Sequence, residues 1–533
     1  MPPYNPYRSQ KERMVDSMKI KSIIALVSAL VLCLSAVSAS ACTAIYVGSS
    51  LTEDGSTMFA RSEDISNSYN KVFYFSPAGN HKAGEVYNGC YGFTYTFTKD
   101  SYSYTAFSDD NLSGVCPDCG GEHKHSPYEA GGTNEMGLTV SATETLGCSD
   151  AVYEADPHVD TGIEEAEIPT VLLSECATAK SAVELLLKIY DESGCCGGSG
   201  IFISDNTETW YIENVTGHEY IALKLTDTMA FAVPNQSVIG LIDLDDAENV
   251  IASKNLINVA KTAGTYVGDE AANTIDYVAS YNADQTANSR MISAMKHFNV
   301  AASEEVANSD YTISNVDENG NIVPLYTNIK LDRVFNINDM VEYYRIPGIG
   351  SSSNLEVHIF QVFAEDGLTD TVEWVAMDNG QYSPFVPYFP MLTTDTYAAY
   401  KLSTAPASFS EEEPAEGVYY AATARKRDAD GNRITVEGFK TLPSNWADSF
   451  YWTVDALSNL CDYTDVTDDQ KAAINTEVDT LQQLCYDAFA DMKASVEAAT
   501  STEDAAKAAT EISSKTAQTV HTGLVELVNG IVK

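Results

Sequence analysis

The chain has 533 residues, 44% of them hydrophobic, and a formal net charge of −45. That length suits one large domain with additions, or two to three domains, with a substantial core. So acidic a surface repels nucleic acid and anionic lipid, and neither is expected as a partner.

From Met18 the chain reads as a signal peptide. Lys19 and Lys21 precede an apolar run over 22–37, and Ala39-Ser40-Ala41 forms a small-x-small cleavage signal. Met1 and Met14 are alternative starts. Residues 1–41 are therefore assigned to export, with the mature protein secreted or at the cell surface. The apolar run is too short, and too near the cleavage signal, for a stable membrane span. Losing five basic and two acidic residues with it takes the charge to −48.

A cut after Ala41 leaves Cys42 as the first residue. Its α-amine, with an ordinary pKa of about 7.7–8.0, is a base near neutrality. Its thiol, ordinarily about 8.5, is the stronger nucleophile once deprotonated. One residue then supplies both nucleophile and base. Residues 43–48 and 57–61 read as strands joined by Glu53-Asp54-Gly55-Ser56. The hairpin returns Arg61, and with it Arg61-x-x-Asp64, beside Cys42.

Further strands are expected at 72–76, 93–97 and 101–104, where aromatic residues alternate with small hydroxyl residues. Residues about 108–130 read as an insertion carrying Cys116, Cys119, His123 and His125. These suit a local or longer disulfide, structural zinc, or free thiols. Gly131-Gly-Thr-Asn134-Glu-Met-Gly137 leads into a β-branched strand ending near Glu144. Glu144 is a candidate for holding a substrate ammonium, against the plainer reading of a solvated strand end. Two successive helices follow over 168–193, ended by Gly194-Cys-Cys-Gly-Gly, and then strands at 201–204, 208–213, 220–224 and 229–233. Strands, two helices and strands again is α+β order with antiparallel sheets. The pattern loosens over 240–345. Residues 456–533 read as a helical C-terminal subdomain, with capping boxes at Thr467/Gln470 and Ser501/Asp504.

Cys42-Thr43 at a new N-terminus, Asp54-Gly55-Ser56, Arg61-x-x-Asp64, the Asn134-Glu segment and Trp210-Tyr-Ile-Glu213 resemble the dipeptidase A family of N-terminal-nucleophile cysteine hydrolases. Penicillin V acylase and bile salt hydrolase are more distant relatives. The resemblance runs over roughly residues 42–455. It implies a four-layer αββα sandwich and hydrolysis of small peptides through an acyl-enzyme, with no cofactor or metal. It makes Cys42 the nucleophile, Arg61 the group that lowers its pKa, and Asp64 the group that orients the amine. Asn134 and Asn235 become the oxyanion donors. A further arginine is expected from the second half, with Arg345 the first candidate and Arg333 the second. Residues 349–356 depart from the family's spacing.

Three rivals stay open: an acylase of the penicillin V or bile-salt type, a surface binding protein lipid-anchored at Cys42, and a papain-like protease. The segments at 210–224 and 374–388 favour the dipeptidase. Ala-Ser-Ala before Cys42 departs from the lipoprotein pattern, and no papain-type signature surrounds Cys42. A homo-oligomer is left open.

Overall fold

The computed structural model describes residues 42–64, 71–89, 92–109, 128–144, 146–282, 288–298, 331–365, 367–402, 446–463 and 466–531, without the side chains of residues 144 and 463. Residues 1–41, with the expected signal peptide, and Cys116, Cys119, His123 and His125 lie outside them. Ala41–Lys533 make one compact unit.

In chain order the strands are β1 (Thr43–Val47), β2 (Thr57–Asp64), β3 (Lys71–Ser76), β4 (Val86–Asn88), β5 (Thr94–Thr96), β6 (Tyr104–Asp109), β7 (Glu129–Thr133), β8 (Thr139–Glu144), β9 (Ser199–Ser204), β10 (Thr209–Asn214), β11 (Tyr220–Lys224), β12 (Ala230–Val233), β13 (Leu241–Asp243), β14 (Val250–Ala252), β15 (Thr274–Asp276), β16 (Asn354–Val362), β17 (Thr371–Met377) and β18 (Val386–Tyr388). One antiparallel sheet has the order β12-β1-β2-β16-β17-β18, and a second β14-β11-β10-β9-β8-β7-β6-β3. Two further sheets have two strands each, the hairpin β4-β5 and the pair β13-β15. The stretch at 101–104 gives no strand before Tyr104; residues 101–103 are the connection into β6.

Period two along β1 and β2 sorts their side chains between the sheet's two faces. Tyr46 and Phe59 turn inward, where Phe59 stacks on Phe202 of the second sheet with ring centroids 5.6 Å apart. Ile45, Val47, Met58 and Ala60 turn outward onto Met340, Val341 and Tyr344 of helix Ile337–Arg345 and Met492 of helix Asp468–Glu497. The second sheet's outer face (Val140, Ala142, Ile201, Ile203) packs on helices Ile168–Glu175 and Ala179–Ser193. Each large apolar side chain so buried contributes about 1.5–3 kcal/mol. Polar links also cross between the sheets. Ser141 meets His358 at 2.8 Å, and Thr105 donates to Glu373 at 2.7 Å.

The helix starts follow local chemistry. Thr178 and Ser181 form a capping box, as do Thr467 and Gln470, so the N-cap and N3 backbone N–H groups at each start are satisfied. Helices Phe450–Tyr463, Asp468–Glu497 and Thr502–Ile531 share the cores of the sheets, through Trp452, Val478 and Val528 among others. No helix of the described residues is long and apolar enough to cross a membrane.

Candidate active site

Cys42 immediately precedes β1, an interior strand paired with β12 on one side and β2 on the other. Ala44 lies opposite Arg61 in that register, and the antiparallel return brings Arg61 beside the strand's first residues. Arg61 Nη2 lies 3.4 Å from Cys42 Sγ. The same nitrogen makes a 2.5 Å ion pair with Glu165 and lies 3.8 Å from Glu63. Arg61 and Glu165 are each 1% exposed and Cys42 8%. Lys71, also buried, pairs with Glu63 at 2.8 Å and with Asp109.

Arg61 and Asp64 are three residues apart on β2, so the pleat puts them on opposite faces. Arg61 faces the second sheet with the thiol. Asp64 faces the helices, where it accepts a hydrogen bond from Asn354 Nδ2. Asn354 also donates to the Ile349 carbonyl at 3.1 Å, which steadies it. Asn354 lies in the segment 349–356, which thereby supplies a hydrogen-bond donor to Asp64.

Arg290 completes this side. Its guanidinium donates to the Cys42 carbonyl, to Thr43 Oγ1 at 2.8 Å, to the Pro234 carbonyl at 2.9 Å and to Asn235 Oδ1 at 3.0 Å. Tyr344 donates to the Thr43 carbonyl at 2.9 Å. Asn235 holds a left-handed backbone, φ 52°, which asparagine tolerates better than most residues. Arg290 thus fixes the end of β12 against the start of β1.

Burial is the largest influence on the Cys42 thiol and raises its pKa above the ordinary value. Arg61 opposes that rise, while Glu165, Asp64 and Glu63 add to it. The expected lowering by Arg61 is present, but it does not prevail in the 533-residue chain, where the Cys42 nitrogen belongs to a peptide bond. Burial also pushes Asp64 up to about 6, against its bond from Asn354 and the charge of Arg290.

The other expected site residues lie elsewhere. Asn134 is fully buried, and its amide hydrogens go to the carbonyls of Leu173 (2.9 Å) and Cys176 (2.8 Å), at the end of helix Ile168–Glu175. Its Oδ1 accepts from the N–H groups of Met136 and Leu138, and its own N–H reaches the Leu138 carbonyl. Both side-chain donors and the backbone donor are committed, so none remains for an oxyanion. This corrects the expectation: Asn134 ties a turn to a helix end. Arg345 is also corrected. It pairs with Glu342 at 3.2 Å and Asp479 at 2.6 Å, clasping two helices. Arg333 pairs with Asp332 and Asp339. Among the described residues, the second-half arginine beside Cys42 is Arg290. Glu144 ends β8 opposite Ser199, and its side chain lies outside the described residues.

A match to the family described as Peptidase family C69 runs over residues 41–414. A probable dipeptidase B of Streptococcus pyogenes serotype M18 is 30% identical over 386 residues, 68% of this chain and 74% of that protein. A probable dipeptidase of Salmonella dublin is 32% identical over 249 residues, 46% of this chain and 54% of that protein. A mutant conjugated bile acid hydrolase from Clostridium perfringens, 12% identical, covers 65% of this chain and 96% of its own with a TM-score of 0.30, too low to bear on the fold. The family match and the dipeptidase relatives place the chain among the peptide hydrolases. It belongs to peptidase family C69.

Proposed function

We propose that the protein is exported, cut after Ala41, and acts as a thiol dipeptidase with Cys42 as nucleophile. The freed α-amine takes the thiol proton, and Asp64 holds the amine in place. Arg61 stabilises the thiolate as it forms. The thiolate adds to the peptide carbonyl, and Asn235, braced by Arg290, faces the oxyanion. The protonated amine returns its proton to the leaving amine, and water resolves the thioester. The two sheets with helices on both outer sides suit the αββα sandwich of the N-terminal-nucleophile hydrolases.

The observation that carries this reading is the 3.4 Å contact between Arg61 and the Cys42 sulfur at the head of an interior strand. The names of the relatives supply the substrate class. The mass of the mature N-terminus is expected to begin at Cys42. The mature protein is expected to release free amino acids from a dipeptide panel, and Cys42→Ala to abolish this. Undiminished release by Cys42→Ala, or full activity in a chain still carrying residues upstream of Cys42, would overturn the proposal.

A further inference from the structure

Asn235 stands two residues past Val233, which pairs with Ala44, itself two residues past Cys42. Its backbone is left-handed, a conformation that persists outside glycine where the segments on both sides hold it. On the near side β12 pairs with β1, and Asn288 and Arg290 donate to the Pro234 carbonyl at 2.7 and 2.9 Å. On the far side the chain runs through residues 236–240 outside any strand before β13. A buried carboxylate from the other sheet grips that side. Glu213 and Tyr211 share the inner face of β10, two residues apart, and both are fully buried. Glu213 Oε1 accepts from the Val238 N–H at 2.8 Å and from the Tyr211 hydroxyl at 2.9 Å. The Ile239 and Gly240 carbonyls accept from the N–H groups of Val278 and Tyr277, at the start of helix Tyr277–Tyr281, each at 3.0 Å.

No opposite charge explains a carboxylate in this place. The cross-strand neighbours of Glu213, Gly200 and Ile221, carry none. Among the described residues, the titratable groups facing it are Tyr211 on its own strand and Tyr277 on the helix. Burial and Glu213 itself push both phenols well up, so they stay neutral. Burial therefore prevails and lifts the Glu213 carboxyl to about 7, against the donors from Val238, Tyr211, Ser237 and Ile239. Glu213 also ends the Trp210-Tyr-Ile-Glu213 stretch, which has no part in the chemistry proposed above.

We propose that Glu213 is a positioning residue of the reaction: by holding the Val238 N–H it fixes the turn from which Asn235 faces the oxyanion. This deepens the dipeptidase reading and rests on it for the reaction. Glu213 touches no reacting atom and acts through the backbone of 236–238. An ionised carboxylate holds an N–H more strongly than a neutral acid does. The hold is therefore full above pH 7 and weakens as Glu213 takes up its proton below it.

Mature wild-type protein and Glu213→Gln are compared in steady-state dipeptide hydrolysis from pH 5 to 9, with kcat taken per folded molecule. The oxyanion forms only as reaction proceeds, so the loss falls on kcat and not on KM. At pH 8 the variant is expected to lose about 10-fold in kcat, part of the roughly 10²- to 10³-fold worth of a whole oxyanion donor, with KM within about twofold. The wild-type acid limb is expected to begin near pH 7, and that of the variant near 6, where Asp64 titrates. Amide exchange of residues 234–239, corrected for the intrinsic effect of pH, reads the turn without substrate. In wild type it is expected to be about 10-fold faster at pH 6 than at pH 8, and in the variant equal at both. A Glu213 needed for folding alone would lower the unfolding midpoint and move none of these. Unchanged kcat with an unmoved limb in Glu213→Gln, or unchanged exchange, overturns the proposal. Should that variant fail to fold, Tyr211→Phe takes one donor from the carboxylate and is expected to move the limb to higher pH; an unmoved limb overturns the proposal instead. If the wild-type protein cleaves dipeptides while exchange ignores Glu213, the positioning role fails and the dipeptidase stands. If it cleaves none while exchange follows Glu213, the dipeptidase fails and the hold on the turn stands.

Discussion

Replacing Arg290 with methionine keeps most of the side chain's bulk and removes its charge. Four acceptors then lose a donor: the Cys42 and Pro234 carbonyls, Thr43 Oγ1 and Asn235 Oδ1. A buried acceptor left unpaired costs about 1–3 kcal/mol. Arg290 is only half-buried, so water can reach some of these groups. If two of the four stay unpaired in the transition state, the loss is about 3–5 kcal/mol, or roughly 10²- to 10⁴-fold in kcat/KM. A second effect has a fixed sign. Arg290 helps hold Asp64 down to about 6, so its removal moves Asp64 further up. If the ionised Asp64 orients the amine, the acid limb of the rate profile moves to higher pH. Steady-state hydrolysis of a dipeptide from pH 5 to 9 measures both. Arg290→Lys, one donor group in place of a planar fork, is expected to fall between. A methionine variant with more than half the wild-type kcat/KM and an unmoved acid limb would refute the clamp.

Asn134→Ala removes four hydrogen bonds from a buried turn and is expected to lower stability by about 2–4 kcal/mol, while kcat per folded molecule stays within about twofold of wild type. Denaturant unfolding and active-site titration of Cys42 check this; a large fall in kcat at full folding would restore Asn134 to the reaction. Glu373 is fully buried, and burial raises its carboxyl from 4.5 to about 8. Folded chains keep its proton up to about pH 8, whereas unfolded chains lose it above 4.5. Stability from this group therefore falls as pH rises between those values, by an order-of-magnitude ceiling of about 5 kcal/mol. Glu373→Gln is expected to flatten that fall and to be more stable than wild type at pH 9, measured by urea unfolding at pH 5 and pH 9.

What could be read from the chain was mostly what lay close together in it. Cys42, Arg61 and Asp64 belong to one hairpin, so a turn and two alternating strands were enough to assemble them. Asn235 was singled out by the family resemblance, and its place after β12 sets it within reach of Arg290. Arg290 sits in a loosely patterned stretch, and only tertiary packing brings it to β1. One signal was present: a cation in the first turn of helix Ser289–Phe298 opposes the helix dipole, and such a placement calls for a partner elsewhere. Glu165 was hidden by the opposite effect. Glu164, Glu165 and Glu167 before a helix look like ordinary favourable charge at its N-terminus, yet all three are buried. Asn134 misled because a turn asparagine and an oxyanion donor share the same residue type. Arg345 misled because a surface clasp between helices leaves no local mark that separates it from a site residue.

The strand that follows Cys42 is gripped along both edges, and the first two carbonyls are held by Arg290 and Tyr344. A newly made chain end usually frays. Here the proposed cut would release an end already locked in the middle of a sheet. Maturation would then require no refolding, and scission of a single bond would act as the trigger of a scaffold assembled beforehand.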